Sequence, residues 1–161
     1  MDMMRRKERQ QDNEFARTVI ATAEYGILSM VDADSMPYAI PVSPALVGER
    51  IYIHGATTGK KLETIAHNNK VCLNCISRTH LLPSEFTTEY ESATAYGTAS
   101  VVDDVAEKIE ALLAIARKYS PDYLDEAVDY IERAIRKTTV ICITVEKLTA
   151  KAKFPNQKPR T

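Results

Sequence analysis

The sequence has few cysteines that could cross-link a small fold and no long apolar run that could cross a membrane. Its 161 residues include no Trp, five Gly and three Cys. Three cysteines are too few, and odd in number, for a disulfide framework, which favours a reducing compartment. No apolar run reaches the ~20 residues that span a bilayer, and the first residues are too charged for the ~7–15-residue apolar stretch of a signal peptide. These absences predict a cytoplasmic protein with no membrane partner.

No strong excess of one charge is present either. Lys and Arg number 21 and Asp and Glu 22, for a net charge of −1. Residues 1–9 carry +2 and residues 147–161 carry +5, so the residues between them carry −8. With 45% hydrophobic and 27% charged residues, the composition argues against disorder and against a nucleic-acid partner. The length predicts one domain over residues 1–161, with a basic N-terminal segment (1–12) and a basic C-terminal tail (150–161).

Motifs of hydrolases and metal sites are missing as well. There is no G-x-S-x-G and no H-E-x-x-H. Cys72 and Cys75 form a C-x-x-C, but they fall in a predicted strand, where residues three apart point to opposite faces. We expect them to be small buried residues rather than metal ligands, and we predict no metal site. Any chemistry is then expected to come from a bound cofactor.

Apolar periodicity predicts a mainly β protein with flanking helices. Helices are predicted at residues 13–24, 60–68, 103–119 and 121–136. Strands are predicted at residues 27–32, 38–47, 50–55, 71–77, 89–102 and 139–145. Six strands joined by short turns favour a small antiparallel barrel whose ends and flank are covered by the helices.

Two regions interrupt this pattern. Pro41 and Pro44 cannot donate to a β-ladder, so the strand at residues 38–47 is expected to be bulged or at an edge, with backbone left free for a ligand. Residues 78–88 show no period and contain Pro83. This segment is predicted to be a loop folded over a ligand, the alternative being a surface loop that only links two strands.

The segment most indicative of a binding site is HGATTGKK at residues 54–61, between the third strand and the next helix. Glycines let backbone amides approach an anion, the helix start presents unpaired N–H groups, and two lysines add positive charge. The spacing is one residue short of G-x-x-x-x-G-K-[ST], with Lys61 in place of the magnesium-binding hydroxyl, which disfavours nucleotide hydrolysis. The pattern predicts a site for a terminal phosphate; the alternative is a tight turn with two solvated lysines.

Two of the three histidines are candidates for a site. His54 ends its predicted strand beside the phosphate loop, and His80 lies in the irregular segment at residues 78–88. A His with a near-neutral pKa can exchange protons or hydrogen-bond a ligand, but it can equally be a structural residue at a strand end. The sequence alone leaves both possibilities open.

Several short motifs, in their order along the chain, resemble the flavin-binding split barrels related to pyridoxamine 5'-phosphate oxidase, the nearest branch being the 5-nitroimidazole-reductase-like (Nim) proteins. They are MRRKER at residues 4–9, Pro41-Val42, IYIHGA at 51–56, GKK at 59–61 followed by Asn68, LPS at 82–84, and YES at 90–92 followed by Gly97. The resemblance covers residue 4 to about residue 151. It implies a six-stranded antiparallel split β-barrel.

The resemblance also implies a cofactor and its site. In that family FMN lies at a homodimer interface, with its phosphate on a basic pair that matches Lys60 and Lys61. We expect FMN rather than FAD, because the lysine pair is compact and no G-x-G-x-x-G pyrophosphate motif is present. The flavin ring is expected along Ile40, Pro41, Val42 and Ser43, with His54 and Gly55 beside it and Ser92 contributed by the other subunit.

The function implied is an FMN-dependent oxidoreductase that transfers electrons, with NAD(P)H as a candidate donor, to a small nitroaromatic or quinone-like acceptor. His54 is the candidate catalytic residue, and His80 and Phe86 are candidate substrate contacts. The alternative is a non-catalytic protein that stores or senses flavin, haem or a deazaflavin. Pyridoxamine phosphate oxidation ranks third, since it needs a second basic and aromatic cluster that the sequence does not reveal.

The chain departs from the family pattern at two places. The family commonly has Tyr-Arg-Ser where this chain has Tyr90-Glu91-Ser92, so an anionic contact is lost and acidic substrates are expected to be repelled. A Gly-Lys near the end of the final strand becomes Ala150-Lys151, which retains the positive charge without the glycine. Lys151 is thus a weaker candidate for a phosphate or flavin contact.

Overall fold

The computed structural model describes residues 4–153, which form a mainly antiparallel β structure with four α-helices. The helices are α1 (Asn13–Thr22), α2 (Lys60–His67), α3 (Val105–Tyr119) and α4 (Leu124–Ala134). The strands are β1 (Gln10–Gln11), β2 (Gly26–Val31), β3 (Pro37–Val42), β4 (Ala45–Val47), β5 (Arg50–Gly55), β6 (Lys70–Leu82), β7 (Thr87–Val101) and β8 (Thr139–Lys153). No helix among the described residues is both long and apolar enough to cross a membrane.

The strands form one antiparallel sheet in the order β3-β2-β6-β7-β8-β5-β4, with β1 added to β8. The six longer strands are those the sequence predicted, and the predicted split β-barrel is confirmed. Two short strands are additional. β1 pairs with the end of β8. β4 is separate from β3 because Ser43 and Pro44, which lie between them, are not part of a strand. The proline-containing strand β3 lies at the end of the strand order, as its prolines predict.

The barrel interior is filled by aliphatic side chains from alternate strand positions and from one face of α1. Asp12 caps α1 by accepting a hydrogen bond from the Phe15 amide at 2.8 Å, which fixes where the helix starts. Each fully buried Leu or Ile contributes about 1.5–3 kcal/mol relative to an exposed one. Among the largest are Ile20, Leu28, Ile51, Ile53, Leu73, Ile141 and Ile143.

A second cluster packs α3 and α4 against the outside of β5 and β8. Tyr52 and Cys142 face this cluster, while their neighbours Ile53 and Ile141 face the barrel interior. This part of the sheet is therefore buried on both faces. A continuous apolar run such as residues 140–143 follows from that double burial.

Two segment predictions are wrong. Residues 78–88 form a hairpin arm instead of a loop, since β6 continues to Leu82 and β7 starts at Thr87. The arm is largely exposed, with Leu81 at 69% and Phe86 at 96%, so no buried face imposes an alternating pattern on its sequence. β8 continues to Lys153, so the predicted tail begins within a strand, and its residues 154–161 lie outside the described part.

The C-x-x-C cysteines are free thiols on opposite faces of β6, as the period of two predicts. Cys75 is buried in the barrel core, and burial raises the pKa of its thiol to about 11. Cys72 is only half-buried on the other face.

Candidate functional site

The predicted phosphate loop is the connection between β5 and α2. Gly59, the residue before α2, has φ +130°, a conformation that side-chain-bearing residues rarely adopt. Its carbonyl accepts from the Leu62 and Glu63 amides at 3.0 and 3.3 Å. No side chain caps this helix start, so the amides of Lys60 and Lys61 are available to an anion.

Lys61 lies over the end of β5. A Cβ built on Gly55 would stand 2.9 Å from Lys61 Nζ, so the glycine leaves the space that the lysine side chain uses. Burial lowers the pKa of Lys61 below its ordinary value. The pKa of His54 is also lowered, first by burial of part of the ring and second by the charge of Lys61. The structure therefore places Lys61 over Gly55, with His54, whose pKa is lowered, next to them.

Lys60 points elsewhere. Its ammonium lies 3.2 Å from Asp32 Oδ2 and 4.8 Å from the ring centre of Tyr38. Asp32 also accepts from the Met36 amide at 2.9 Å. That hydrogen bond is the main cause of the lowered pKa of its carboxyl group, and the contact with Lys60 is a lesser one. Lys60 thus joins α2 to the β2–β3 turn, with its charge already balanced. The two lysines do not converge as a compact pair in this chain.

The predicted flavin-lining residues lie on β3 and just after it. Ile40 and Val42 pack against the barrel core, while Pro41 and Ser43 are exposed. β3 has a single hydrogen-bonded neighbour, β2, within the described residues. One side of this backbone is therefore open to a ligand or a second chain.

Residues at the end of α3 hold the bend after β3 in place. Lys118 Nζ donates to the carbonyls of Pro44 at 2.7 Å and Ile20 at 3.1 Å, and the Tyr119 hydroxyl donates to Pro44 at 2.9 Å. Burial lowers the pKa of Lys118 and raises the pKa of Tyr119 to about 12. These contacts fix where β3 ends, and sequence reasoning did not identify them because the partners are far apart in the chain.

The candidate substrate residues His80 and Phe86 lie on the hairpin arm. His80 Nδ1 is 3.1 Å from Glu89 Oε2 across the arm. Phe86 occupies the turn of the arm with φ 50° and is almost fully exposed. Neither these two residues nor His54 lines the cleft that contains Ser92.

Ser92 lies instead in a cleft of about 480 Å³ on the outer face of β6, β7 and β8. Its lining residues, most of them missed in the sequence, are Met4, Arg5, Asn74, Ser92, Thr94, Tyr96, Lys147, Thr149, Ala150 and Lys151. The alternation of Lys147, Thr149 and Lys151 is a signal of period two that the prediction lost by ending β8 at residue 145.

The departure at Glu91 has a structural outcome. Glu91 lies on the opposite face of β7 from Ser92, and the Ser77 hydroxyl donates to its carboxylate at 3.0 Å. Glu91 is absent from the residues that line the cleft. Within this protomer the carboxylate of Glu91 therefore does not face Ser92. The expected repulsion of acidic substrates at Ser92 does not come from Glu91.

The antiparallel split barrel, with an open edge strand and a glycine-rich strand-to-helix connection, defines the structural class. A family model described as pyridoxamine 5'-phosphate oxidase matches residues 12–152. The chain belongs to this family. A search of curated proteins finds no match to the sequence.

Solved structures share the fold. A candidate 5-nitroimidazole antibiotic resistance protein from Bacteroides thetaiotaomicron is 26% identical with a TM-score of 0.72, over 88% of this chain and 84% of that one. A flavocytochrome from Azotobacter vinelandii has 18% identity and a TM-score of 0.81, over 94% and 72%. A FAD and heme binding protein from Mycobacterium smegmatis has 21% identity and a TM-score of 0.78, over 93% and 77%.

Proposed function

We propose that the protein is an FMN-dependent oxidoreductase that works as a homodimer and reduces a small nitroaromatic or quinone-like acceptor. The observation that carries the proposal is the arrangement of Lys61, Gly55 and His54 beside the uncapped start of α2. An anionic phosphate suits the free amides and the partly buried ammonium. Membership of the pyridoxamine 5'-phosphate oxidase family supports the choice of a flavin.

The bound flavin would supply the redox chemistry, and the chain's own residues would hold and screen it. Lys61 would neutralise the phosphate, while Lys60 would fix the start of α2 through Asp32. The open edge of β3, at Ile40 to Ser43, would supply backbone groups to the ring.

His54 would contribute a neutral imidazole near the reacting face. Its lowered pKa favours the uncharged ring at neutral pH, in which one nitrogen accepts a hydrogen bond and the other donates one. It could thus hold an acceptor or pass it a proton, and such roles contribute ~10²–10⁴-fold to rate. His54 is the catalytic residue of this proposal.

A second copy of the chain would complete each site. β3 leaves one edge unpaired, and the exposed arm presents Leu81 and Phe86 without a partner in this protomer. Symmetric pairing of identical surfaces is the common way for such faces to be covered. In this dimer Ser92 would face the flavin held by the other copy, and His80 and Phe86 would form part of the acceptor wall.

The test is a visible spectrum of the purified protein with added FMN, followed by titration with NADH and NADPH under nitrogen. A yellow protein whose absorption is bleached by either nucleotide and restored by a nitroaromatic or quinone supports the proposal. A protein that binds no FMN contradicts it. His80→Ala and Phe86→Ala should then change acceptor turnover with FMN affinity unaltered.

The second candidate is a non-catalytic protein that stores or senses flavin, haem or a deazaflavin. It is favoured by the fold neighbour whose name describes FAD and heme binding. A protein that binds FMN but is bleached by neither nucleotide, and passes no electrons after chemical reduction, would support this candidate. Pyridoxamine phosphate oxidation remains third and is tested by adding that substrate to the same FMN-loaded protein.

A further inference from the structure

Helix α4 carries a line of exposed side chains that neither the core nor the candidate site uses. Glu126, Tyr130 and Arg133 follow one another at spacings of four and three residues, which places them on one face of the helix. Tyr123 directly precedes α4, Lys137 ends the 3₁₀ turn after it, and both extend the line at the same spacings. All five are exposed, with Tyr123 at 64% and Tyr130 at 67%. We call these five residues the α4 stripe.

The opposite side of α4 fixes the direction in which the stripe points. Ile131 belongs to the buried cluster that contains Leu112 and Ile115 of α3. Each residue of a helix turns by about 100°, so Tyr130 and the rest of the stripe face away from that cluster. None of the five residues lies on β3, on the hairpin arm or in the cleft that contains Ser92. The stripe is therefore separate from every surface assigned to the proposed site.

Charge along this part of the chain is divided into an acidic and a basic portion. Residues 122–132 hold five carboxylates and no Lys or Arg, and residues 133–137 hold three cations and no Asp or Glu. The helix dipole favours this order only in the first and last turns, and Asp129 and Glu132 lie beyond the first turn. Within residues 4–153 none of these eight charged side chains takes part in an ion pair. The protomer thus leaves both portions unbalanced.

A second copy of α4 running in the antiparallel direction matches this pattern. In a two-fold contact, residue i of one copy faces residue j of the other while j faces i. Glu126 lies four residues before Tyr130 and Arg133 lies three after it, so an axis at Tyr130 brings Glu126 of each copy to Arg133 of the other. Tyr123 of each copy then lies near Lys137 of the other, a pairing of ring and cation. A parallel pair would instead oppose like charges.

From this arrangement we infer that the α4 stripe is a contact between two copies of this chain, which dock through it with their α4 helices antiparallel. Tyrosine is among the residues that contribute most to protein interfaces, and complementary charges around it fix the direction of pairing. The 11 residues of α4 extend over about 16 Å. A contact between two such helices falls below the ~1,200 Å² of a standard interface, which is typical of weak association.

The α4 contact needs no flavin and differs from the dimer proposed above. Symmetric assemblies commonly combine two different two-fold contacts into a tetramer. A chain that used both surfaces would therefore form a dimer of dimers, and this step alone rests on the proposed function. At low concentration the protein should be the proposed dimer, and the α4 contact should add to it with a dissociation constant on the order of 100 μM.

The experiment measures molar mass by light scattering and sedimentation of the full chain between about 5 and 500 μM, on either side of that constant. The mass should rise with concentration, and the rise should shrink at about 0.5 M salt, because exposed charges are screened. Glu126→Arg and Arg133→Glu should each weaken the association tenfold or more, since either change opposes like charges across the contact. An equal mixture of the two variants should restore it, because each then supplies the charge that the other lacks.

Glu132→Arg is the matched control, since it makes the same charge change on the same helix but off the stripe. It should leave the association unchanged, and circular dichroism checks that each variant is folded. A parent protein whose mass does not change with concentration would overturn the inference. So would equal losses in Glu132→Arg and Glu126→Arg, which would reduce the effect to net charge. Folded variants that stay apart when mixed would overturn the antiparallel contact.

Two further arms separate this contact from the proposed function. Phe86→Asp, which is aimed at the proposed dimer, should leave the association through α4 in place. The variants on the stripe should bind FMN as the parent protein does. A protein that binds no FMN but associates through α4 would defeat the flavin proposal and retain this inference. A concentration-dependent mass that Phe86→Asp abolishes and the stripe variants leave unchanged would assign all association to the arm and overturn it.

Discussion

Lys60 and Lys61 are neighbours in the sequence with different surroundings in the fold. Lys60 pairs with Asp32, whereas Lys61 lies over Gly55 beside His54. An ammonium already balanced by a carboxylate gives less to an added phosphate than one that is partly buried without a carboxylate partner. The two lysines are therefore expected to differ in function.

Lys61→Ala should weaken FMN binding tenfold or more, because a charged contact to phosphate is worth about 1.5–3 kcal/mol. Lys60→Ala is the matched control and should weaken binding only a few-fold, with some loss of stability at the start of α2. Quenching of FMN fluorescence measures both constants. Equal losses in the two variants would restore the symmetric lysine pair that the sequence predicts, and unchanged binding in both would remove the phosphate site.

The pH dependence of His54 follows from the same contact. Its pKa lies below the ordinary 6.5 because of burial and the Lys61 charge, so the unfolded chain takes up the proton first as the pH falls. His54 therefore costs the folded state no stability above pH 6.5. As the pH falls below 6.5, the free energy of unfolding decreases. In an NMR titration of the imidazole, Lys61→Ala should raise the His54 pKa toward 6.5, while Lys60→Ala leaves it in place. A His54 pKa at or above 6.5 in the parent protein would contradict this.

Among the elements, β7 and β8 are the long strands that join the barrel to the outer-face cleft. Their register shifts at Tyr96 and Gly97, where Glu146 is the extra residue on β8. The backbone approaches closely there, since a Cβ on Gly97 would lie 2.0 Å from the Thr144 carbonyl oxygen. The glycine thus permits the bulge that sets the positions of Lys147 and of the residues after it.

Gly97→Ala should lower the free energy of unfolding by about 3 kcal/mol, because the clash is with backbone that cannot move aside. Gly48→Ala is a control in open space, where only the left-handed φ of +58° costs about 1 kcal/mol. Urea unfolding compares the two. A Gly97→Ala variant no less stable than Gly48→Ala would show that the strands relax at the bulge.

The whole molecule has surfaces that one copy does not cover. Phe86 and Leu81 are exposed on the arm, and one edge of β3 pairs with no strand of residues 4–153. Burying such apolar surface is worth about 25 cal/mol per Å² before the cost of association. A second copy would cover these surfaces and would bring Ser92 to the other site.

We therefore expect a homodimer in light scattering, with two flavins per dimer. Phe86→Asp should weaken the dimer because it places a charge at an apolar contact. Glu85→Gln, an adjacent change that adds no charge, should leave it intact. A parent protein that is monomeric with FMN bound would refute the dimer.

Much of the fold was predictable because its signals are local. Asp12 caps the start of α1, and the period of two marks the six longer strands. The family motifs pointed to the split barrel that the structure confirms. The segments that failed are the arm at residues 78–88 and the end of β8. The arm has no buried face among the described residues, so its sequence carries no strand period to detect. The end of β8 does alternate, with Leu148 and Ala150 on the core side and Lys147, Thr149 and Lys151 on the other, but its basic residues and the prolines after it were interpreted as a tail.

The sequence by itself determined the fold class, the family and the strand-to-helix connection at residues 54–61, because hydrophobic period and glycine position act between near neighbours. Only the tertiary structure decided how charges are paired. It joined Lys60 to Asp32, left Lys61 beside His54, turned Glu91 away from Ser92 and collected Arg5, Lys147 and Lys151 around one cleft. These pairings depend on strand register and on contacts between distant residues, and electrostatic energy depends on distance in space rather than along the chain.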